Sequence, residues 1–261
     1  MEEASRCPVD HSSSSSTDQK RIVAVTGASR GIGHAIVKTF HENGWEVLTL
    51  ARTPFSMVCP WAEGIVRHIQ TDLSDKTSVE ESLQRLKDLV GSRGLNALVN
   101  NAGISPKGEN GARLGATATS AEVMHQVMMV NLIAPMVLTN GLLDQIKAAK
   151  GAIVNVSSIA GFRIHPFAGA AYATSKAALS ALTREMAYDL GDNNVRVNSV
   201  APGEIETSIL SPGTDEIVQR QVPMKRMGSP EEVAEVVHFL CSDASSYVNG
   251  TEIHINGGQH I

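Results

Sequence analysis

The chain has 261 residues, 42% of them hydrophobic and 19% charged, proportions that exclude a disordered chain, a collagen-like repeat and a disulfide-stapled miniprotein. Lys and Arg number 22 against 27 Asp and Glu, and a net charge of −5 gives no general attraction to nucleic acid or anionic membrane. A small molecule is therefore the expected partner.

The first 19 residues carry Glu2, Glu3 and the serines Ser12 to Ser16, lack the basic-then-apolar order of a secretory signal, and read as a flexible tail. With no linker after residue 20, a single domain is expected over 20–261. Three scattered cysteines, Cys7, Cys59 and Cys241, form no C-x-x-C pair, which predicts no metal site and fits a reducing cytoplasm.

Ile22 to Val25 is a continuous apolar run, the mark of a strand covered on both faces. Similar runs follow at Glu46 to Leu50, Ile65 to Ile69, Ala97 to Val99, Ala152 to Val156, Arg196 to Val200 and Glu252 to Ile255. Helical patterns lie between them, at Ile32 to Glu42, Lys76 to Val90, Ala121 to Lys147, Tyr172 to Leu190 and Pro230 to Cys241. This alternation predicts an α/β fold with a seven-stranded parallel sheet clad by helices on both faces. The most apolar window, Val127 to Leu143, is broken by Asn131, Pro135 and Asn140 and reads as a buried helix, not a membrane span. Gly103 to Ser120 and Gly203 to Gly228 read as irregular loops, either lids or surface insertions.

The first strand runs into Thr26-Gly27-Ala28-Ser29-Arg30-Gly31-Ile32-Gly33 and then an amphipathic helix. Glycines there let an anion approach the main chain, and the helix offers its positive end, which suits a dinucleotide pyrophosphate. A plain glycine turn has the same spacing, but no Lys-Ser or Lys-Thr follows to make a triphosphate loop. About 20 residues onward such folds usually place an acid on the adenosine ribose. Arg52 stands there instead, and with Arg30 it suits a phosphate, so NADP(H) is predicted over NAD(H), which stays possible.

Tyr172 and Lys176 share one helix face, where an ammonium is expected to bring the phenol toward working pH as an acid/base. Their companions are Asn100-Asn101-Ala102-Gly103, Asn131, and Asn155-Val156-Ser157-Ser158. From the TGASRGIG turn through these elements to Pro202-Gly203-Glu204-Ile205-Glu206-Thr207, nearly everything after residue 20 resembles the short-chain dehydrogenase/reductases.

The resemblance implies a three-layer Rossmann fold, a homodimer or homotetramer, and a tetrad of Asn131, Ser158, Tyr172 and Lys176. Tyr172 would exchange a proton with an alcohol or carbonyl substrate held by Ser158, and Lys176 would hold the cofactor ribose. Asn131 would position a water linking Lys176 to solvent. The resemblance further places Asp72 with Leu73 at the adenine, Asn100 with Ala102 and Gly103 on the adenosine side, and Pro202, Gly203, Ile205 and Thr207 at the nicotinamide. Ser158 is preferred to Ser157 because Ile159-Ala160-Gly161 follow it. His165 reads either as a substrate contact or as a surface histidine, and Met124, Met128, Met129 and Met136 as core or subunit packing. The competing class is a non-catalytic NADP(H)-binding regulator. Carbon–carbon double-bond reduction is a third reading, against which the Y-x-x-x-K spacing argues.

Overall fold

The computed structural model describes residues 19–53, 62–64, 66–207 and 213–261. The expected tail through residue 18, the stretch from Pro54 to Trp61 with Cys59, Ile65 and Pro212 lie outside them.

Strand β1 (Ile22–Thr26) is buried throughout. Its Val23 and Val25 join a core with helices α1 (Gly31–Glu42) and α8 (Pro230–Cys241), while Ile22 and Ala24 join a second core on the opposite face with α2 (Lys76–Val90) and α6 (Ala170–Leu190). A strand covered on both sides needs apolar residues at successive positions, which is why the run is continuous. Strands β2 (Glu46–Ala51), β3 (Arg67–Gln70), β4 (Ala97–Asn100), β5 (Ala152–Val156), β6 (Arg196–Pro202) and β7 (Glu252–Ile255) complete a parallel sheet ordered β3-β2-β1-β4-β5-β6-β7. This is the three-layer Rossmann architecture. Strand order reverses between β1 and β4, and a ligand crevice opens beyond the carboxyl ends of the strands at that point.

Strands β1, β2 and β4 each end one residue beyond expectation, and β3 and β6 differ more because neighbours set their bounds. Pairing with β2 fixes β3, Leu48 standing opposite Arg67 and Ala51 opposite Gln70. Strand β6 runs on to Pro202 because β7 supplies His254 and Ile255 as partners for Ala201 and Pro202.

The single helix expected over Ala121 to Lys147 is interrupted. Helix α3 (Ala121–Met128) passes through a π turn at Met129–Ile133 into α4 (Ala134–Gly141), and after Leu142 the chain forms α5 (Leu143–Ala148). Pro135 has no N–H to give the carbonyl of Asn131 four residues earlier, so one α-type bond is lost inside the turn. The stretch Ala121–Gly141 is long and apolar enough to cross a membrane by composition. Only one face is buried, through Val127, Val130, Ala134 and Leu138, whereas Met128, Met129, Leu132 and Ile133 stay partly exposed. The expectation of a buried helix is thus corrected to a half-buried one.

The loop expected from Gly203 to Gly228 contains helix α7 (Thr214–Gln221), which buries Thr214, Ile217 and Val218. Gly213 before it and Pro223 after it hid the helix by reading as loop punctuation.

Candidate active site

The glycine turn is shaped for close approach. Gly27 and Gly31 have φ of +66° and +53°, and a Cβ on Gly33 would stand 2.2 Å from the carbonyl oxygen of Gly27. Arg30 precedes α1 with no side-chain cap, whereas Asp75 caps α2 and a Ser229–Glu232 capping box closes α8. The first-turn amides of α1 thus lack a side-chain acceptor and fit the phosphates of a dinucleotide. Asn101 holds the turn in place: its Nδ2 donates to the carbonyls of Thr26 at 3.0 Å and Gly27 at 3.1 Å, and its N–H donates to Thr26 Oγ1. The motif containing Asn101 signalled its importance, but its partners are 75 and 74 residues away.

The turn opens into a cleft of about 660 Å³ at the carboxyl ends of the strands. Ser29, Arg30, Ile32, Arg52, Asp72 and Leu73 line one end of it, Ala102 and Gly103 the middle, and Ser158, Tyr172, Lys176, Pro202, Gly203, Ile205 and Thr207 the other. Two expected residues do not line it. Asn100 is buried in the sheet with its Nδ2 donating to Asn155, and Asn131 is buried behind the wall. Asn131 takes the N–H of Ile104 and donates to the Ile104 carbonyl and to Ser175, so it pins the Asn-Asn-Ala-Gly segment to the π turn and α6. A Cβ on Gly103 would lie 3.3 Å from Lys176 Nζ and 3.5 Å from Asn131 Oδ1, so these two groups converge where Gly103 leaves room.

At the adenosine end, Asp72 accepts both the N–H and the hydroxyl of Ser74, at 2.9 and 2.6 Å. Those bonds, the hydroxyl first, hold its carboxyl below the usual range, with the Arg52 charge adding a smaller pull. Asp75 is the residue that starts α2, accepting the N–H of Thr77.

Tyr172 and Lys176 occupy the first turns of α6, with Lys176 Nζ donating to the Val156 carbonyl at 2.7 Å. Ser158 hydrogen-bonds to Tyr172, whereas the hydroxyl of Ser157 is turned toward α6, against the carbonyl of Lys176 and Ser180 Oγ. Ser158, preferred from the sequence for the Ile159-Ala160-Gly161 that follow it, thus differs from Ser157 in the direction of its hydroxyl. The expected acidification of Tyr172 is not found. Burial pushes its phenol above the ordinary value, the bond from Ser158 opposing this, and burial brings the Lys176 amine down to about 8. Desolvation outweighs the attraction between the two groups in the cleft as it stands.

The opposite wall is built by the segment between β5 and α6. His165 Nε2 donates to Glu204 Oε1 at 2.5 Å, and Gln259 donates to the same oxygen. Lys107 and Arg113, from the expected 103–120 loop, donate to the carbonyls of Phe167 and Ala168. That loop is therefore tied to the cleft wall. Glu204 was visible only as one letter of a motif, 39 residues from its histidine. Among the described residues no three His, Cys, Asp or Glu side chains gather as metal ligands, and His254 and His260 stack on each other with ring centroids 4.2 Å apart.

A family model described as enoyl-(acyl carrier protein) reductase matches residues 27–260. Protein FixR of Bradyrhizobium diazoefficiens is 50% identical over 93% of this chain and 88% of its own length. The 3-oxoacyl-[acyl-carrier-protein] reductase FabG of Aquifex aeolicus is 38% identical over 92% of this chain and 97% of its own. A crystal structure of a short-chain dehydrogenase/reductase family oxidoreductase from Brucella ovis, in complex with a partially ordered NAD, is 49% identical and covers 91% of this chain and 100% of that one, with a TM-score of 0.80.

The chain is a short-chain dehydrogenase/reductase. As a member of that family it is a nicotinamide-dependent oxidoreductase, and its glycine turn, Ser158, Tyr172 and Lys176 stand on one cleft. This dehydrogenase/reductase differs from the expectation of its sequence chiefly in the protonation balance of Tyr172 and Lys176 and in the His165–Glu204 pair.

Proposed function

We propose that this protein interconverts a ketone and a secondary alcohol with NADP(H) in preference to NAD(H), using Tyr172 as the acid/base. The convergence of Ser158, Tyr172 and Lys176 in one dinucleotide-shaped cleft carries the proposal. The amides after Gly27, with Ser29, Gly31, Ile32 and Gly33, would hold the pyrophosphate, Arg30 and Arg52 an adenosine 2′-phosphate, Asp72 and Leu73 the adenine, and Ile205 and Thr207 the nicotinamide. Bound there, the cofactor supplies or takes the hydride.

In the reducing direction Tyr172 gives its hydroxyl proton to the developing alkoxide, with Ser158 donating to the same oxygen; oxidation reverses both roles. Lys176 supports the tyrosinate from the same helix face. Asn131 acts through position, fixing the wall beside Lys176 Nζ. A non-catalytic sensor has no use for a hydroxyl, a phenol and an amine gathered on one cleft, which disfavours that class. The partly exposed apolar face of α3 and α4 suits a homodimer or homotetramer, and a cytoplasmic setting fits the composition.

Following NADPH and NADP⁺ absorbance against a panel of ketones and alcohols tests the reading. Carbonyl-dependent oxidation of NADPH is expected. Cofactor binding without any turnover would return the protein to the sensor class.

A further inference from the structure

Glu204 is the sole acid at the catalytic end of the cleft among the described residues; Asp72, the other acid lining it, sits at the adenosine end. It is more than nine-tenths buried, and its position is defined by two side-chain donors. His165 Nδ1 accepts the Phe167 N–H at 3.2 Å, so the ring proton resides on Nε2 and is given to Glu204 Oε1. Gln259 Nε2 gives a second bond to that same oxygen, at 3.2 Å, and leaves its own Oε1 buried without a partner. An ionised carboxylate accepts both of these bonds without giving a hydrogen of its own. Burial raises the carboxyl pKa, and His165, through its bond and its electrostatic pull, together with the bond from Gln259 outweighs it and holds the group below the ordinary value.

Both bonds fall on Oε1. Oε2 receives none from the described residues, is not among the buried atoms left without a partner, and belongs to a residue that lines the cleft. A buried carboxylate with one oxygen unserved is costly unless a donor arrives. His165 and Glu204 line the same cleft as Ser158 and Tyr172, where the reacting carbonyl would sit.

Resting on the oxidoreductase reading above, we propose that Glu204 Oε2 is a substrate subsite that accepts a hydrogen bond from an N–H or O–H group. The alcohol or ketone turned over here would then carry a protonated amine or a second hydroxyl besides the reacting oxygen. His165 and Gln259 are positioning residues that aim the carboxylate.

Matched substrates test this. In the oxidising direction 2,3-butanediol, 3-amino-2-butanol and 3-methyl-2-butanol differ only in a hydroxyl, an ammonium or a methyl group, and homologues with the group one or two carbons further away cover other reaches. For at least one spacing, kcat/KM should favour a donor-bearing member over its methyl counterpart by about tenfold or more, as expected for a hydrogen bond to a charged group. The amine and diol arms separate the two sources of the donor. In Glu204→Gln, where an amide N–H₂ can replace the accepting Oε2, that ratio should collapse toward one; a melting curve of the variant checks that it folds.

A wild-type ratio near one at every spacing overturns the inference whether or not the variant folds. So does a variant that lowers both members equally with the ratio unmoved, as a loop latch would. In both cases the oxidoreductase reading stands. Absence of any turnover, with Tyr172→Phe indistinguishable from wild type, overturns both.

Discussion

The amine of Lys176 stands 5.7 Å from the centre of the Tyr172 ring, one helical turn away on the same face of α6, and hydrogen-bonds to the carbonyl of Val156 instead of to the phenol. The lysine therefore acts on the tyrosine through space. Replacing Tyr172 by Phe removes the exchangeable proton and leaves this arrangement of the amine intact. Turnover should fall by about 10²- to 10⁴-fold while NADPH binding, read by its fluorescence, persists. Near-normal turnover would end the acid/base assignment.

Burial of Lys176 has a consequence for stability that needs no substrate. Its amine has a pKa of about 8 in the folded protein against 10.5 for the free side chain. Between those values the unfolded chain binds more protons, so stability rises with pH across that window; below about pH 8 both states are protonated and the full cost, up to ~3 kcal/mol, is felt. The Tm of wild type relative to Lys176→Met should accordingly move upward between pH 7 and pH 10. A difference that stays flat would show the amine to be solvated.

Arg52 occupies the place where an acid would meet the ribose hydroxyls, and it lines the cleft with Arg30. Arg52→Asp should lower kcat/KM with NADPH by about tenfold or more and raise it with NADH, since a guanidinium bond to phosphate is replaced by repulsion. A wild type that already prefers NADH would refute the assignment.

Gly33 cannot carry a side chain without moving the turn, because its Cβ would also lie 2.5 Å from Asn101 Nδ2. Gly33→Ala should cost about 2 kcal/mol or more and weaken cofactor binding. Gly115→Ala, whose Cβ would meet only the tip of Arg113 at 3.5 Å, serves as the control. Equal melting temperatures for the two variants would contradict the packing described here.

The partly exposed Met128, Met129, Leu132 and Ile133 should lie at a contact between copies. Light scattering at micromolar concentration is expected to give a multiple of the monomer mass, and Met129→Glu should shift it downward. A wild type that is monomeric would set the oligomer proposal aside.

Most of the architecture could be read without coordinates. The central strands are covered on both faces, so each shows itself as an apolar run, and the glycine turn and the Tyr172–Lys176 spacing are local patterns. Helix α7 escaped because its flanking Gly213 and Pro223 look like loop signals, although Asp215 and Glu216 in the first turn and Arg220 in the last were available as helix signs.

By itself the order of residues determined the parallel sheet, the glycine turn and the family, because these depend on contacts within a few residues or on the alternation of buried faces. Only the folded chain decided that the Ser157 hydroxyl turns toward α6, that burial raises the Tyr172 phenol, and that His165 and Glu204 meet. Those outcomes depend on side-chain direction and on water being excluded by segments distant in the chain, and neither is written in local spacing.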